Sequence, residues 1–269
     1  MKIKEYIFNN QNQTAQNVLK ELESKQTDVV ILRNFLSTSE ILELVSVYER
    51  NSNWYTVYDG YDAFPRPFDH IPRNPIDNYE NECANYIKLI SENQIAARFQ
   101  EKLRTISTEY ALDFNDASHN INDSQTWSSL RQLALGKGYF EIHCGRLFQD
   151  WNKNYFDKFS KKADIDTQFA FLIVLQRPET NCDIEIFDLT WDEASVKIDT
   201  NHLQKKNGEI VHIDQIGSEN IQLAEGDLLI FDEGNYWHSV PRFTGNQTRI
   251  SFGGFMTKLV DDKNYLVWS

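Results

Sequence analysis

Residues 168–176 read Gln168-Phe-Ala-Phe-Leu-Ile-Val-Leu-Gln176, an apolar run closed by a glutamine at each end. Seven apolar residues suit a strand and fall far short of a membrane span, so the composition predicts a strand buried on both faces. Strand-like segments continue outward from it. Residues 139–144 precede it; 183–189, with the core Ile184-Glu-Ile-Phe-Asp188, follow after a turn at 177–182. Residues 209–214, 227–231, 236–240 and 249–256 complete the set. Short strands at this density, behind a more helical N-terminal half, predict an antiparallel sandwich or barrel backed by helices.

Toward the N-terminus the texture differs. Residues 15–25 carry Val18, Leu19 and Leu22 at helical spacing, and 28–33 read as a buried strand. Ser37-Thr-Ser-Glu40 is a capping box that opens a helix to about residue 50, and 80–108 is rich in helix formers. Between them, 55–78 holds four of the six prolines with Tyr58, Tyr61, Phe64 and Phe68, and reads as one long aromatic loop. Long loops in compact domains often serve as lids. Tyr58, Phe64, Arg66, Phe68 and Arg73 are therefore candidate substrate-lid residues; the plain alternative is a surface excursion packing its own aromatics. His70, in the same loop, and His119 and His202, in polar surroundings, read as surface residues. One domain is expected, with 1–138 as helical support and lid, 139–257 as the β core and 258–269 as a tail.

The chain has 269 residues with 27 Lys and Arg against 40 Asp and Glu, a net charge of −13. So acidic a surface repels phosphate backbones and anionic lipid, which argues against nucleic acid and membrane partners. Cys83, Cys144 and Cys182 are scattered and lack C-x-x-C spacing, which suits a reducing compartment. The first residues lack the apolar core of a signal peptide, and a cytoplasmic location is expected.

Three features of the strand-rich half carry chemistry. His143-Cys144-Gly145 ends a strand; Gly226-Asp-Leu-Leu-Ile-Phe231 leads into Trp237-His238-Ser-Val-Pro241; Arg249-Ile-Ser251 follows His238 by 11 residues. Alternation along a strand puts Arg249 and Ser251 on one face, and turns Trp237 away from the side that His238 occupies, into core packing.

In this order the motifs resemble the Fe(II)/2-oxoglutarate-dependent oxygenases, over about residues 139–257, with a weaker similarity at Val29-Val-Ile-Leu-Arg-Asn-Phe-Leu-Ser-Thr-Ser-Glu40. The resemblance implies a double-stranded β-helix core (a cupin-like jelly roll) flanked by N-terminal helices, mainly β within an α+β chain. It implies His143 and His238 as iron ligands and Arg249, helped by Ser251, as the partner of the distal carboxylate of 2-oxoglutarate. Thr167 and Gln168, at the start of the buried strand, are further candidates for contact with 2-oxoglutarate or chloride. Two imidazoles leave coordination positions for a co-substrate and oxygen, and a planar guanidinium matches a buried carboxylate in two-point fashion.

The family's third ligand is the acid of His-x-Asp/Glu, and this chain has Gly145 there. Halogenases of the family carry Gly or Ala at that place and bind chloride directly to iron. The separation of 95 residues between His143 and His238 also resembles that of freestanding halogenases acting on hapalindole-type alkaloids. The resemblance thus implies a halogenase using iron(II), 2-oxoglutarate, chloride and oxygen. Its expected partner is a small molecule that arrives free rather than tethered to a carrier. The runner-up is a hydroxylase whose carboxylate comes from Glu141 or Asp150. His212-Ile-Asp214 is a rival metal pair, although only 24 residues separate Asp214 from His238. A binding protein that has lost catalysis is the alternative from another class.

Overall fold

Alternation along the apolar run 169–175 sets the layers of the molecule. Phe169, Phe171, Ile173 and Leu175 join one buried cluster, whereas Ala170, Leu172 and Val174 join another. A strand with both faces covered needs a helical layer on one side and a second sheet on the other. The computed structural model describes residues 1–9, 15–51, 53–67, 79–114, 126–151, 153–180, 183–260 and 263–269. His70, His119, Phe68, Arg73 and Cys182 lie outside the described residues, as does the side chain of Asp150.

The chain opens with β1 (Ile3–Ile7), α1 (Val18–Glu23), β2 (Val29–Arg33), α2 (Thr38–Arg50), β3 (Tyr55–Tyr58) and β4 (Tyr61–Phe64). Next come α3 (Tyr79–Ser91), α4 (Ile95–Thr105), β5 (Ala111–Phe114), β6 (Ser129–Leu133) and β7 (Phe140–His143). Then follow α5 (Gly145–Trp151), α6 (Lys153–Phe159), β8 (Ala163–Gln176), β9 (Ile184–Thr190), β10 (Ala194–Lys197), β11 (His202–Lys205) and β12 (Ile210–His212). Strands β13 (Ser218–Ile221), β14 (Leu228–Phe231), β15 (Tyr236–Val240), β16 (Arg249–Leu259) and β17 (Asn264–Trp268) complete it.

The larger sheet runs β1-β2-β14-β8-β16-β6-β4-β3, with β17 beside the second half of β16 and β5 beyond it. The smaller sheet runs β13-β9-β15-β7. Their facing sides share one core, in which Ile31, Leu172, Leu229 and Phe255 meet Ile184, Ile186 and Val240. The other face of the larger sheet packs against the helices through Leu44, Val47, Tyr86, Phe99 and Leu103. Burying each such side chain contributes roughly 1.5–3 kcal/mol. Two mainly antiparallel sheets facing each other across a common interior, with N-terminal helices outside, form the expected double-stranded β-helix.

Local signals place the elements. Ser37 caps α2 with Glu40 returning to the Ser37 backbone N–H at 2.8 Å, as the capping box predicts. Gly226 turns into β14 at φ +85°, where a Cβ would meet the Leu36 carbonyl oxygen at 2.7 Å.

Several stretches differ from the sequence reading, three of them in ways that shape the larger sheet. Residues 55–64 form the hairpin β3–β4, which extends the larger sheet through β6, rather than part of a long loop. Prolines and aromatics crowd that segment, but the strands end at Phe64, before Pro65 and Pro67. Residues 129–133, within the half read as helical support, form β6. The expected tail is strand β17, whose Trp268 is buried and donates Nε1–H to Thr257 Oγ1 at 2.8 Å.

Candidate metal centre

Strands β7 and β15 are antiparallel neighbours, and His143 and His238 stand directly opposite each other in their register. Cross-strand partners on one face are the closest side chains a sheet offers. The ring centroids are accordingly 4.1 Å apart. Each ring is anchored alike. Nδ1 of His143 lies 2.7 Å from the Glu141 carbonyl oxygen, and Nδ1 of His238 lies 3.0 Å from that of Tyr236. A carbonyl can only accept, so Nδ1 carries the proton on both rings and each Nε2 presents a lone pair. Burial also pushes the His238 pKa down to about 4, which keeps the ring neutral at neutral pH. Two neutral imidazoles with paired Nε2 atoms are a donor set for a divalent transition metal.

A carboxylate joins them. Among the described residues, His143, Glu233 and His238 place one ligand atom each within 4.8 Å of one another. Glu233 follows β14 in the turn to β15 and is 3% exposed. Its Oε1 lies 3.9 Å from His238 Nε2, and its Oε2 accepts from Gln168 Nε2 at 2.6 Å. β7 ends at His143 and Gly145 begins α5, so strand alternation stops two residues short of the glycine. A Cβ on Gly145 would stand 2.1 Å from Glu233 Oε2 and 2.7 Å from Gln168 Nε2. The space expected to be open beside Gly145 is filled by the Glu233 carboxylate, which sequence reasoning missed. The available signal was Asp232-Glu233 directly after a buried strand; a turn residue has no alternation to say which way it points.

The imidazoles and Glu233 sit on the wall of a cavity of about 460 Å³ between the two sheets. Arg249 and Ser251, on the inner face of β16, also line it, and Arg249 is 1% exposed. Arg131 of β6, the register partner of Ser251, adds a second guanidinium that the sequence reading did not name. A buried guanidinium and hydroxyl with a second, half-buried guanidinium suit a carboxylate.

Residues 7–269 match the model of the family described as "Carrier-protein-independent halogenase WelO5". The chain belongs to this family. No curated protein matches it. Among solved structures, this WelO5-family chain is similar to a 2OG-Fe(II) oxygenase-family oxidoreductase from Burkholderia pseudomallei. The identity is 11% over 93% of this chain and 91% of the other, with a TM-score of 0.48. A prolyl-4-hydroxylase of Pseudomonas putida shows 12% identity over 89% and 96%, with a TM-score of 0.44. HygX of Streptomyces hygroscopicus, with nickel and 2-oxoglutarate bound, shows 10% identity over 88% and 85%, with a TM-score of 0.47.

The other candidates of the WelO5-family chain fall on both sides of the cavity wall. Tyr58 lines the cavity and donates its hydroxyl to the Tyr139 carbonyl. Phe64 does not; it packs under the helices, 5.5 Å from the Tyr86 ring. Arg66 pairs with Glu82 and covers the Tyr55 ring at 4.2 Å, outside the cavity lining. Thr167 turns outward and donates to Asp164 Oδ2 at 2.7 Å. Gln168 faces inward but holds Glu233.

The rival ligands are engaged elsewhere. Glu141 lies at the cavity wall and pairs with Lys197 at 3.0 Å. His212 caps a short helical turn, its Nδ1 accepting from the Asp214 backbone N–H at 3.2 Å, in the separate β10-β11-β12 sheet. Trp237 points away from the cavity, as alternation predicts, and donates Nε1–H to the Ala194 carbonyl at 2.8 Å. Cys144 lies on that side too, its thiol held above the ordinary value by burial. Among the described residues no helix is long and apolar enough to cross a membrane.

Proposed function

We propose that this chain is an iron(II)- and 2-oxoglutarate-dependent halogenase that chlorinates an unactivated C–H bond of a free small molecule, with 2-oxoglutarate decarboxylated to succinate. The observation that supports it most is Gly145, a residue without a side chain beside two paired imidazoles, in a member of a family described as carrier-protein-independent halogenases. Iron(II) bound there would supply the activation of oxygen that drives hydrogen abstraction.

The chain's own residues would do the rest. His143 and His238 hold the metal through Nε2, their rings fixed by the Glu141 and Tyr236 carbonyls. Arg249, with Ser251 and Arg131, holds the distal carboxylate of the co-substrate. The aromatic wall of Tyr58, Tyr61, Phe140 and Phe148 takes an apolar substrate and excludes water. Its task is positional: the reacting carbon must lie nearer the halide than the competing oxygen.

One observation favours a second reading. With Glu233 beside Gly145, the same fold has a two-histidine, one-carboxylate set, the arrangement of an iron(II) hydroxylase. The two readings separate on product. A panel of apolar ring compounds, incubated with iron(II), 2-oxoglutarate and oxygen in chloride and then in bromide, should give products whose halogen follows the salt. Oxygenated products alone at saturating halide would establish the hydroxylase instead.

A further inference from the structure

We infer that Glu233 is the third protein ligand of the metal in the halide-free enzyme, so that a halide binds only by displacing it. The inference rests on the reading of His143 and His238 as metal ligands.

The geometry carries it. Metal–ligand bonds of roughly 2.0–2.2 Å put two ligand atoms of one ion about 3 Å apart at right angles and about 4 Å apart when opposite. The 3.9 Å between Glu233 Oε1 and His238 Nε2 falls in that span and is too long for a hydrogen bond. The Glu233 backbone is also held in place on both sides. The Gly145 backbone N–H donates to the Glu233 carbonyl at 3.0 Å, and the Gly234 N–H donates to the Gln168 carbonyl at 2.9 Å. The Gln168 side-chain amide occupies Oε2 and leaves Oε1 turned toward His238.

Charge and space agree. A buried carboxylate is costly unless a cation neutralises it. For Glu233 a divalent ion between the two imidazoles would serve. Gly145 is what admits the carboxylate, since any side chain there would collide with it. A halide bound in its place would bring the same single negative charge to the metal, while the tethered carboxylate would have to turn aside or take up a proton to stay buried. They compete for one position.

The test is titration of the purified chain with cobalt(II) in halide-free buffer, following affinity and visible absorption, for wild type, Glu233→Gln, His143→Ala and His238→Ala. Glu233→Gln keeps the shape and an acceptor for Gln168, and a thermal melt checks its fold. Residues that hydrogen-bond to metal ligands typically contribute 10–100-fold to affinity, and a direct ligand should contribute no less. We expect Glu233→Gln to weaken cobalt binding at least tenfold and to change the spectrum. Added chloride should restore part of the affinity in that variant and bind more tightly than in wild type. Wild-type affinity and spectrum in Glu233→Gln, with both histidine variants impaired, would overturn the inference and leave the metal site standing. Unchanged binding in all three variants would remove the metal site as well.

Discussion

Gln168 Nε2 donates to Glu233 Oε2 at 2.6 Å, and both side chains are buried. A hydrogen bond to a charged group is worth about 1.5–3 kcal/mol, and removing its donor leaves desolvation of the carboxylate less compensated. Gln168→Leu should therefore lower the stability of the metal-free protein by about that much in urea unfolding. Cobalt(II) should recover part of the loss. A midpoint unchanged from wild type would show that the amide does not hold the carboxylate.

Restoring the acid that the sequence lacks should fail unless the acid that replaced it is removed. Gly145→Asp brings a second carboxylate to within contact of Glu233, where steric overlap and like charge both oppose it. Overpacking alone costs about 1–3 kcal/mol. Gly145→Asp should lose stability and metal affinity, whereas Gly145→Asp with Glu233→Ala should regain cobalt binding and lose sensitivity to halide. Equal metal affinity in the single and double variants would contradict this coupling.

The sheets are legible because their strands announce themselves by composition, and the two histidines because the order of motifs around them resembles that of a known family. Gln168–Gln176 and Gly226–Phe231 needed no more than that. Residues 55–64 do not read as strands because prolines at 65 and 67 give the whole stretch the look of a loop, although the strands stop before them. Glu233 was illegible for a different reason. It lies in a turn, where direction is set by hydrogen bonds to residues 88 and 65 positions earlier, Gly145 and Gln168. Only the folded chain brings those together.

Arg249 also lines the cavity, and the proposed function gives it a carboxylate to hold. Truncating one partner of a buried charge pair costs about 2–5 kcal/mol. Arg249→Gln should weaken 2-oxoglutarate binding by that amount in anaerobic titration of the metal-loaded protein, with cobalt(II) affinity in the absence of 2-oxoglutarate unaltered. Arg131→Met should act in the same direction. If Arg249→Gln binds 2-oxoglutarate as wild type does, the co-substrate lies elsewhere.

The last strand is structural. Trp268 is 1% exposed between β17 and β16, with its indole N–H satisfied by Thr257. Trp268→Ala should cost about 3–5 kcal/mol in urea unfolding, the range for deleting a large buried aromatic. A loss under about 1 kcal/mol would mean that the C-terminal residues contribute little to the fold.

The halogenase reading is tested most directly at the metal itself, without knowledge of the substrate. X-ray absorption of the iron(II)-loaded, anaerobic protein with 2-oxoglutarate and saturating bromide distinguishes a heavy scatterer from nitrogen and oxygen neighbours. A bromine shell at bonding distance, lost in Gly145→Asp with Glu233→Ala, is the predicted result. A first shell of nitrogen and oxygen alone, at every bromide concentration, would contradict it.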